Sequence, residues 1–324
     1  MTTSIKTIAK AVALTELSGV ADSRAKKLIE DFGSPEAVYN ASLAEFSEYH
    51  YIDESTYEVL QSHEATVSQI LSELDRCRQN GINLISIFDD QYPDRLKAVS
   101  GPLLLYAQGN TALLSRDNSV GFTGTREASE EAVDWTRTIA ADLAAEDRVV
   151  ISGGATGIDT AAHSGALDAA GKTISVLGTG IDVPFPKENE QLFERIVDND
   201  GLLLAQRRLG AGPSRTGFLN RNATLTGLSH AVVVVATDGT GGTMSTYSDA
   251  KSQERLIFCP DPELQLEPAA GIEQIAAEEA IPIHRYEEIL ANQDRFKNLT
   301  DTDGTDSVSS DTNRGQSSID DFTQ

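Results

Sequence analysis

The chain has little sulfur chemistry to offer. Its two cysteines, Cys77 and Cys259, stand far apart, and neither has another cysteine or a histidine at ligand spacing. A disulfide framework and a cysteine-built metal site are therefore not expected, and both thiols read as reduced and buried in a cytosolic protein. Long hydrophobic runs are missing as well. The opening MTTSIKTIAKAVALTEL holds an apolar stretch too short and too interrupted for a secretory leader or a membrane span, so the sequence reads as soluble and cytoplasmic. Lysine is scarce, nine against 17 arginines, and 26 basic residues face 50 acidic ones for a net charge of −24. With the acids spread along the chain and ordinary apolar content, this is the pattern of a halophile's cytosol. At about 1 M salt the screening length shrinks to roughly 3 Å, so a body of this sign is not barred from a polyanion. Local contacts then decide.

What is present falls into three zones. In residues 1–63, from about Ile8 onward, apolar side chains recur at helical spacing (Leu14, Leu17, Val20, then Ala25, Leu28, Ile29, Phe32), broken at Ser18-Gly19 and Gly33-Ser34-Pro35. This predicts a small helical domain. Residues 64–296 alternate β-rich runs (SVGFTG, RVVISGG, TISVLGTG, LLLAQ, AVVVVAT, RLIFCP) with helical patterns such as Glu130 to Ala145, Ile158 to Ala170, Asn189 to Val197 and Thr243 to Ser252. Strands apolar on both faces, joined through helices, predict an α/β fold with a doubly wound, mainly parallel, Rossmann-like sheet. The stretch GINLISIFDDQYPDRLKAVSGPLLLYAQG is expected to extend it, and IPIHRYEEILANQ to add one more strand and helix. Residues 297–324 are Asp, Ser, Thr, Asn and Gly with almost nothing to bury, a composition that predicts a disordered acidic tail.

In such a sheet ligands sit beyond the carboxyl ends of the strands. Small residues stand at three successive strand ends: Gly124, Thr125 and Arg126; Ser152, Gly153, Gly154 and Gly157; Gly178, Thr179 and Gly180. A later turn brings Gly241, Gly242 and Thr243. Glycine lets backbone amides approach an anion, and a following helix adds its positive end. No Lys-Ser/Thr pair follows these turns and GxGxxG is absent at the first strand, so neither a P-loop nor an ordinary dinucleotide site is expected, and no cofactor is implied. Arg126 is placed to pair with a phosphate. One segment is spared of acids altogether: QRRLGAGPSRTGFLNRNATLTGLSH, residues 206–230, holds Arg207, Arg208, Arg215 and Arg221 and no carboxylate, as expected of a surface facing an anion. Arginines that pair with acids elsewhere on this acidic body would read the same way.

The runs SGGATGIDTAAHSGAL, KTISVLGTGIDVPFPKENEQL and FLNRNATLTGLS resemble, in order and spacing, the motif series of the DNA-processing protein A (DprA/Smf) family, over about Asn80 to Leu290. The resemblance implies an extended Rossmann fold, a homodimer, cooperative binding of single-stranded DNA and delivery of a RecA-type recombinase onto it. It places the family's GSR arginine at Arg126, the lysine of its YPK-type segment at Lys187 beside Phe185, and its RN pair at Arg221 and Asn222. Thr125, Ala223, Ala205-Gln206 and the turn GTGGTMS depart from the family pattern. Asp159 and His163 look like a catalytic pair four residues apart on a helix. No nucleophile or metal cluster stands beside them, so Asp159 is expected to fix the turn and His163 the packing.

The two ends add partners. LTELSGVADSRAKKLIEDFGS resembles a helix-hairpin-helix module with Ala21-Asp22 where the second glycine belongs, which favours a structural or partner-binding role over a phosphate contact. The end QSSIDDFTQ resembles the PCNA-interacting peptide, with Gln316, Ile319 and Phe322 in its three positions, and implies a sliding-clamp partner. The leading expectation is thus a non-enzymatic single-stranded DNA binder with no metal. The alternative is a nucleotide sensor or phosphoribohydrolase, since TDGTGGTMSTY resembles the PGGxGTxxE loop of the LOG family, with Tyr247 near the position of its glutamate. A scaffold linking recombinase and clamp without binding DNA is the third.

Overall fold

The computed structural model describes residues 3–99 and 101–296. The tail and its clamp-binding-like peptide lie outside the described residues. The chain begins with helices Ile5–Leu14 (α1), Asp22–Phe32 (α2), Pro35–Asn40 (α3), Glu54–Gln61 (α4) and Glu64–Gln79 (α5). The Ser4 hydroxyl caps α1 by accepting the Thr7 N–H, and α2 stops at Gly33, whose φ of 85° suits a residue without a side chain. These helices share one core with a face of the sheet: Leu14, Leu28, Leu60 and Leu74 are buried in the same cluster as Leu105 and Leu204. The Asp22 carboxylate accepts the Leu103 N–H at 3.1 Å, and Lys26 Nζ donates to the Gly101 carbonyl. The turn that resembles a phosphate-binding hairpin therefore turns its acid onto the protein's own backbone.

There follow Asn83–Ser86 (β1), Asp94–Ala98 (α6), Leu104–Gly109 (β2), Ser119–Thr123 (β3), Glu130–Ala145 (α7), Val149–Ser152 (β4), Ile158–Asp168 (α8), Lys172–Gly180 (β5), Glu190–Asp198 (α9), Leu202–Arg207 (β6) and Arg215–Leu228 (α10). The series ends with Ala231–Val234 (β7), Gly241–Ser252 (α11), Leu256–Pro260 (β8), Ala270–Glu278 (α12), Ile281–Ile283 (β9), Tyr286–Leu290 (α13) and Gln293–Phe296 (α14). All nine strands join one sheet in the order β1-β2-β6-β5-β4-β3-β7-β8-β9. The pairs β1/β2 and β2/β6 are antiparallel and the other six parallel. This is the doubly wound sheet, with two added strands and a final strand and helix, that the apolar runs predict. Every residue of β3, β4 and β7 is buried, as strands covered on both faces must be.

The winding positions the site. From β3 the chain proceeds outward through β4, β5 and β6, then α10 carries it back across the face to β7 on the other side of β3. Neighbouring connections at β3 and β7 thus leave in opposite directions, and a crevice opens between them at the strands' carboxyl ends. Among the described residues no helix is long and apolar enough to cross a membrane.

Candidate nucleic-acid interface

A cleft of about 890 Å³ occupies that switch point. One wall is the end of β3, with Gly124, Thr125 and Arg126; the opposite wall is Thr237, Asp238 and the start of α11, with Gly241, Gly242 and Thr243. Its floor is α10, which contributes Phe218, Arg221 and Asn222. Gly241 takes φ of 72°, which bends the chain into α11, and a Cβ added at Gly241 or Gly242 would meet nothing within 4 Å. The first turn of α11 carries no acid. Its N–H groups and partial positive charge are therefore presented to the open cleft.

Arg221 lies at the bottom. Its Nη1 donates to the Val176 carbonyl at 3.0 Å and its Nε to Asn222 Oδ1 at 3.0 Å, while Asp159 Oδ2 stands 3.9 Å from Nη1. The side chain is 10% exposed, so burial pushes its pKa down, against the pull of Asp159, and the nearby Arg126 adds repulsion. The bonds among described residues use Nε and Nη1 and none uses Nη2, and the side chain lines the cleft. A guanidinium desolvated to this degree gains most from an anion arriving at its remaining donors. Asn222 ties the floor to the far wall by donating from Nδ2 to the Gly242 carbonyl at 3.2 Å.

Asp159 and His163 are scaffold. Asp159 Oδ2 accepts the Ala155 N–H at 3.1 Å, which holds the turn before α8. His163 is fully buried, with Nε2 2.7 Å from the Gly153 carbonyl and Nδ1 2.7 Å from Thr173 Oγ1. A carbonyl only accepts, so Nε2 carries a proton, while the Thr173 hydroxyl beside Nδ1 also donates to the Val150 carbonyl at 2.8 Å. Burial lowers the imidazole pKa and keeps it neutral.

The second and third glycine turns differ from expectation, because the protein fills them itself. Ser152 Oγ donates to the Phe122 carbonyl. A Cβ on Gly153 would collide with Arg221, on Gly154 with the Phe193 ring, on Gly178 with the Phe218 ring, and on Gly180 with the Arg208 carbonyl. Thr179 Oγ1 donates to the Val183 carbonyl at 2.7 Å. Gly157, at φ of 75°, packs on the carbonyls of Thr125 and Arg126 and holds the first turn in place. Neither Ser152 nor Thr179 nor any of these five glycines lines the cleft.

Two flanking arginines are committed elsewhere. Arg208, expected along a strand's backbone, is gripped by acids: Nε and Nη2 reach Glu73 Oε2 at 2.9 and 2.6 Å, and Nη1 reaches Glu16 Oε1 at 2.8 Å. Arg207 donates to the Gly212 and Gly178 carbonyls and braces the loop before α10. Arg215 begins α10 and lies outside the cleft lining. Lys187 is exposed on the neighbouring corner, whose Asn189 Nδ2 donates to the Gly154 carbonyl at 2.9 Å. Between that corner and the cleft the rings of Phe185 and Phe218 meet at 5.7 Å and 45°.

The contributors that the sequence did not point to include Thr237 and Asp238 after β7, and Glu267 and Pro268 on the facing loop. The end of VVVVATDGTGG signalled the first two; nothing local signalled the others. With Glu127 and Asp159 they bring four carboxylates to a lining that holds two arginines. At the LOG-like position Tyr247 is buried, its hydroxyl donating to Glu278 Oε2 at 2.8 Å, and no carboxylate of α11 lines the cleft.

Residues 83–294 match the family model of DNA recombination-mediator protein A. Protein Smf of Synechocystis is 32% identical over 255 residues, covering 76% of this chain and 63% of its own. The DNA processing protein DprA of Bacillus subtilis is 32% identical over 195 residues, 60% of this chain and 65% of its own. That of Streptococcus pneumoniae is 37% identical over 174 residues, 53% and 61%. The chain thus spans a little under two thirds of the length of these relatives. The X-ray structure of DNA processing protein A from Streptococcus pneumoniae superposes with a TM-score of 0.69 at 26% identity, covering 90% of this chain and 98% of that one. A Helicobacter pylori structure described for its single-stranded DNA binding mode gives 0.58 at 26% identity, covering 66% and 96%.

Proposed function

The chain belongs to the DNA recombination-mediator protein A family, and we propose that it binds single-stranded DNA across the cleft between β3 and β7. One observation carries the reading: a nine-tenths-buried guanidinium, Arg221, with donors to spare, lines a crevice walled by Gly124–Arg126 and the start of α11. Phosphates take Arg221, Arg126 and the α11 amides, and Asn222 holds the two walls in register. The strand continues toward Lys187, with the Phe185–Phe218 pair offering a base a stacking face. Gly153 and Gly178 act beneath this surface by making room for Arg221 and Phe218.

Bound in this way the protein protects or processes DNA and helps load a RecA-type recombinase in recombination or DNA-mediated transformation. The reading draws support from relatives named as DNA processing proteins and from the Helicobacter pylori protein. It is a homodimer and a binder rather than an enzyme, and Gln316, Ile319 and Phe322 supply contact with a sliding clamp. The test is a gel-shift series in high potassium chloride with single strand, duplex and a mononucleotide competitor. Retention of the single strand, undisturbed by equimolar mononucleotide, is expected. Tight mononucleotide binding with no strand binding contradicts it and favours a nucleotide sensor.

A further inference from the structure

One loop ties the two walls of the cleft together. The Glu267 carbonyl accepts the Ser129 N–H at 3.0 Å, beside the turn that leaves β3, and the Pro268 carbonyl accepts the Thr237 N–H at 2.8 Å, at the end of β7. Both loop residues line the cavity that they bridge. The two ends of the cleft are therefore unlike. Phe185 and Lys187 follow β5, on one side of β3, whereas residues 267–268 follow β8, beyond β7. A chain that comes from Lys187 past the Phe185–Phe218 pair reaches Arg221 and then meets the bridge. The rim there is acidic. Glu127, Asp238 and Glu267 are exposed on it, and the hydrogen bonds that Asp238 accepts from Thr240 N and Oγ1, at 2.8 and 2.7 Å, hold its pKa below the usual carboxylate range. A phosphate placed beyond Arg221 would be set among carboxylates that repel it.

Before the bridge the donors converge. Thr240 makes no side-chain cap on α11, so the N–H groups of its first turn lack an intrahelical partner and a capping side chain. The Arg221 side chain, 10% exposed, lines the same space with no described bond at Nη2. Arg126 lines it too and stands close enough to repel Arg221. Two guanidinium groups that repel each other are matched better by a doubly charged group than by a singly charged one. An internal phosphodiester carries one negative charge and two non-bridging oxygens. A terminal phosphate monoester carries about −1.5 to −2 at neutral pH and three acceptor oxygens. We propose that the cleft seats the end of a strand: a terminal phosphate monoester rests on Arg221, Arg126 and the α11 amides, and the chain leaves past Phe218 and Phe185 without continuing beyond residues 267–268. The proposal rests on the reading of the cleft as the strand's seat and names the part of the strand that it takes. A free mononucleotide carries the same group but none of the contacts further along, so it binds more weakly. Phosphates at a 5′ and at a 3′ end share this chemistry, and the experiment separates them.

The experiment is fluorescence anisotropy with the full-length protein in high potassium chloride, using oligothymidylates of equal length labelled at an internal base. One carries a 5′-phosphate, one a 3′-phosphate, one hydroxyls at both ends, and one is closed into a circle. At least one phosphorylated strand is expected to bind at least about tenfold tighter than both the hydroxyl-ended strand and the circle, and the two phosphorylated arms tell which end is taken. Arg126→Gln and Gly242→Glu, each compared with wild type by a thermal melt, are expected to lose that preference. A Cβ at Gly242 would meet nothing within 4 Å, so the second variant keeps the test open if the first fails to fold. Phosphorylated strands that bind wild type no tighter than either control overturn the inference and leave a strand that passes through the cleft. A preference that survives in both folded variants overturns it as well, by placing the strand's end elsewhere. Binding of none of the four overturns the underlying reading too.

Discussion

A Cβ on Gly153 would lie 1.7 Å from Arg221 Nη1 and 2.4 Å from Asp159 Oδ2. The side chain that one residue lacks is the room in which the other two meet. The second glycine turn therefore supports the proposed anion site from below, by letting the guanidinium reach the Val176 carbonyl at 3.0 Å.

Gly153→Ala is expected to displace Arg221 from the Val176 carbonyl. Overpacking at such a contact costs about 1–3 kcal/mol, and single-strand affinity is expected to fall at least about tenfold with the loss of the aligned donor. Urea unfolding beside strand titration checks both; full affinity in a destabilised protein would separate Gly153 from the site.

Arg208→Ala is expected to act on stability rather than on DNA. It strands Glu73, whose side chain is 9% exposed. Because Arg208 itself is 29% exposed, the cost is expected at about 1–3 kcal/mol, below that of a fully buried pair. Strand affinity measured well below the melting temperature, and its salt slope, are expected to match wild type. A shallower slope would return Arg208 to the DNA surface.

Two buried histidines set an acid limit. Burial, with Arg95, Arg255 and Arg148 nearby, pushes the His230 pKa down to about 3, and burial lowers that of His163. Each is neutral when folded and titrates near 6.5 when unfolded, so the unfolded chain binds more protons below that pH. Their contribution is complete above pH 6.5 and is lost as pH falls toward the folded value, by at most about 1.4 kcal/mol per unit per histidine. Denaturant melts from pH 7 to 4.5 are expected to show this decline, and His230→Gln is expected to flatten it. A flat wild-type profile would contradict it.

A chain stopped at Gly315 is expected to lose retention on an immobilised sliding clamp while keeping full strand affinity. Equal retention of both chains would remove the tail's assigned role.

The strands were legible because each is a short apolar run between turn residues, and α7 because Ser129 caps it where the helical pattern starts. The open and the filled glycine turns were not distinguishable, because the difference lies in rings brought from elsewhere: Phe193 closes Gly154, and Phe218 closes Gly178. The acid-free segment 206–230 was half understood. Most of α10 is buried against the sheet, from Phe218 and Arg221 to Thr224–Leu228, and a carboxylate there would have to be desolvated whether or not DNA is near. Arg208 shows the other half, since its acids come from α5 and from the turn after α1, more than 130 positions away. Glu267 reaches the cleft from a loop without any recognisable pattern.

The most direct measurement of the central claim is single-strand affinity of Gly242→Glu beside its melting temperature. A Cβ at this position would meet nothing within 4 Å, so the fold is expected to be unchanged, while a carboxylate placed at the start of α11 confronts the phosphate. The account predicts an unaltered melt and at least about a tenfold loss of affinity at low salt. Wild-type affinity in that variant would place the strand elsewhere.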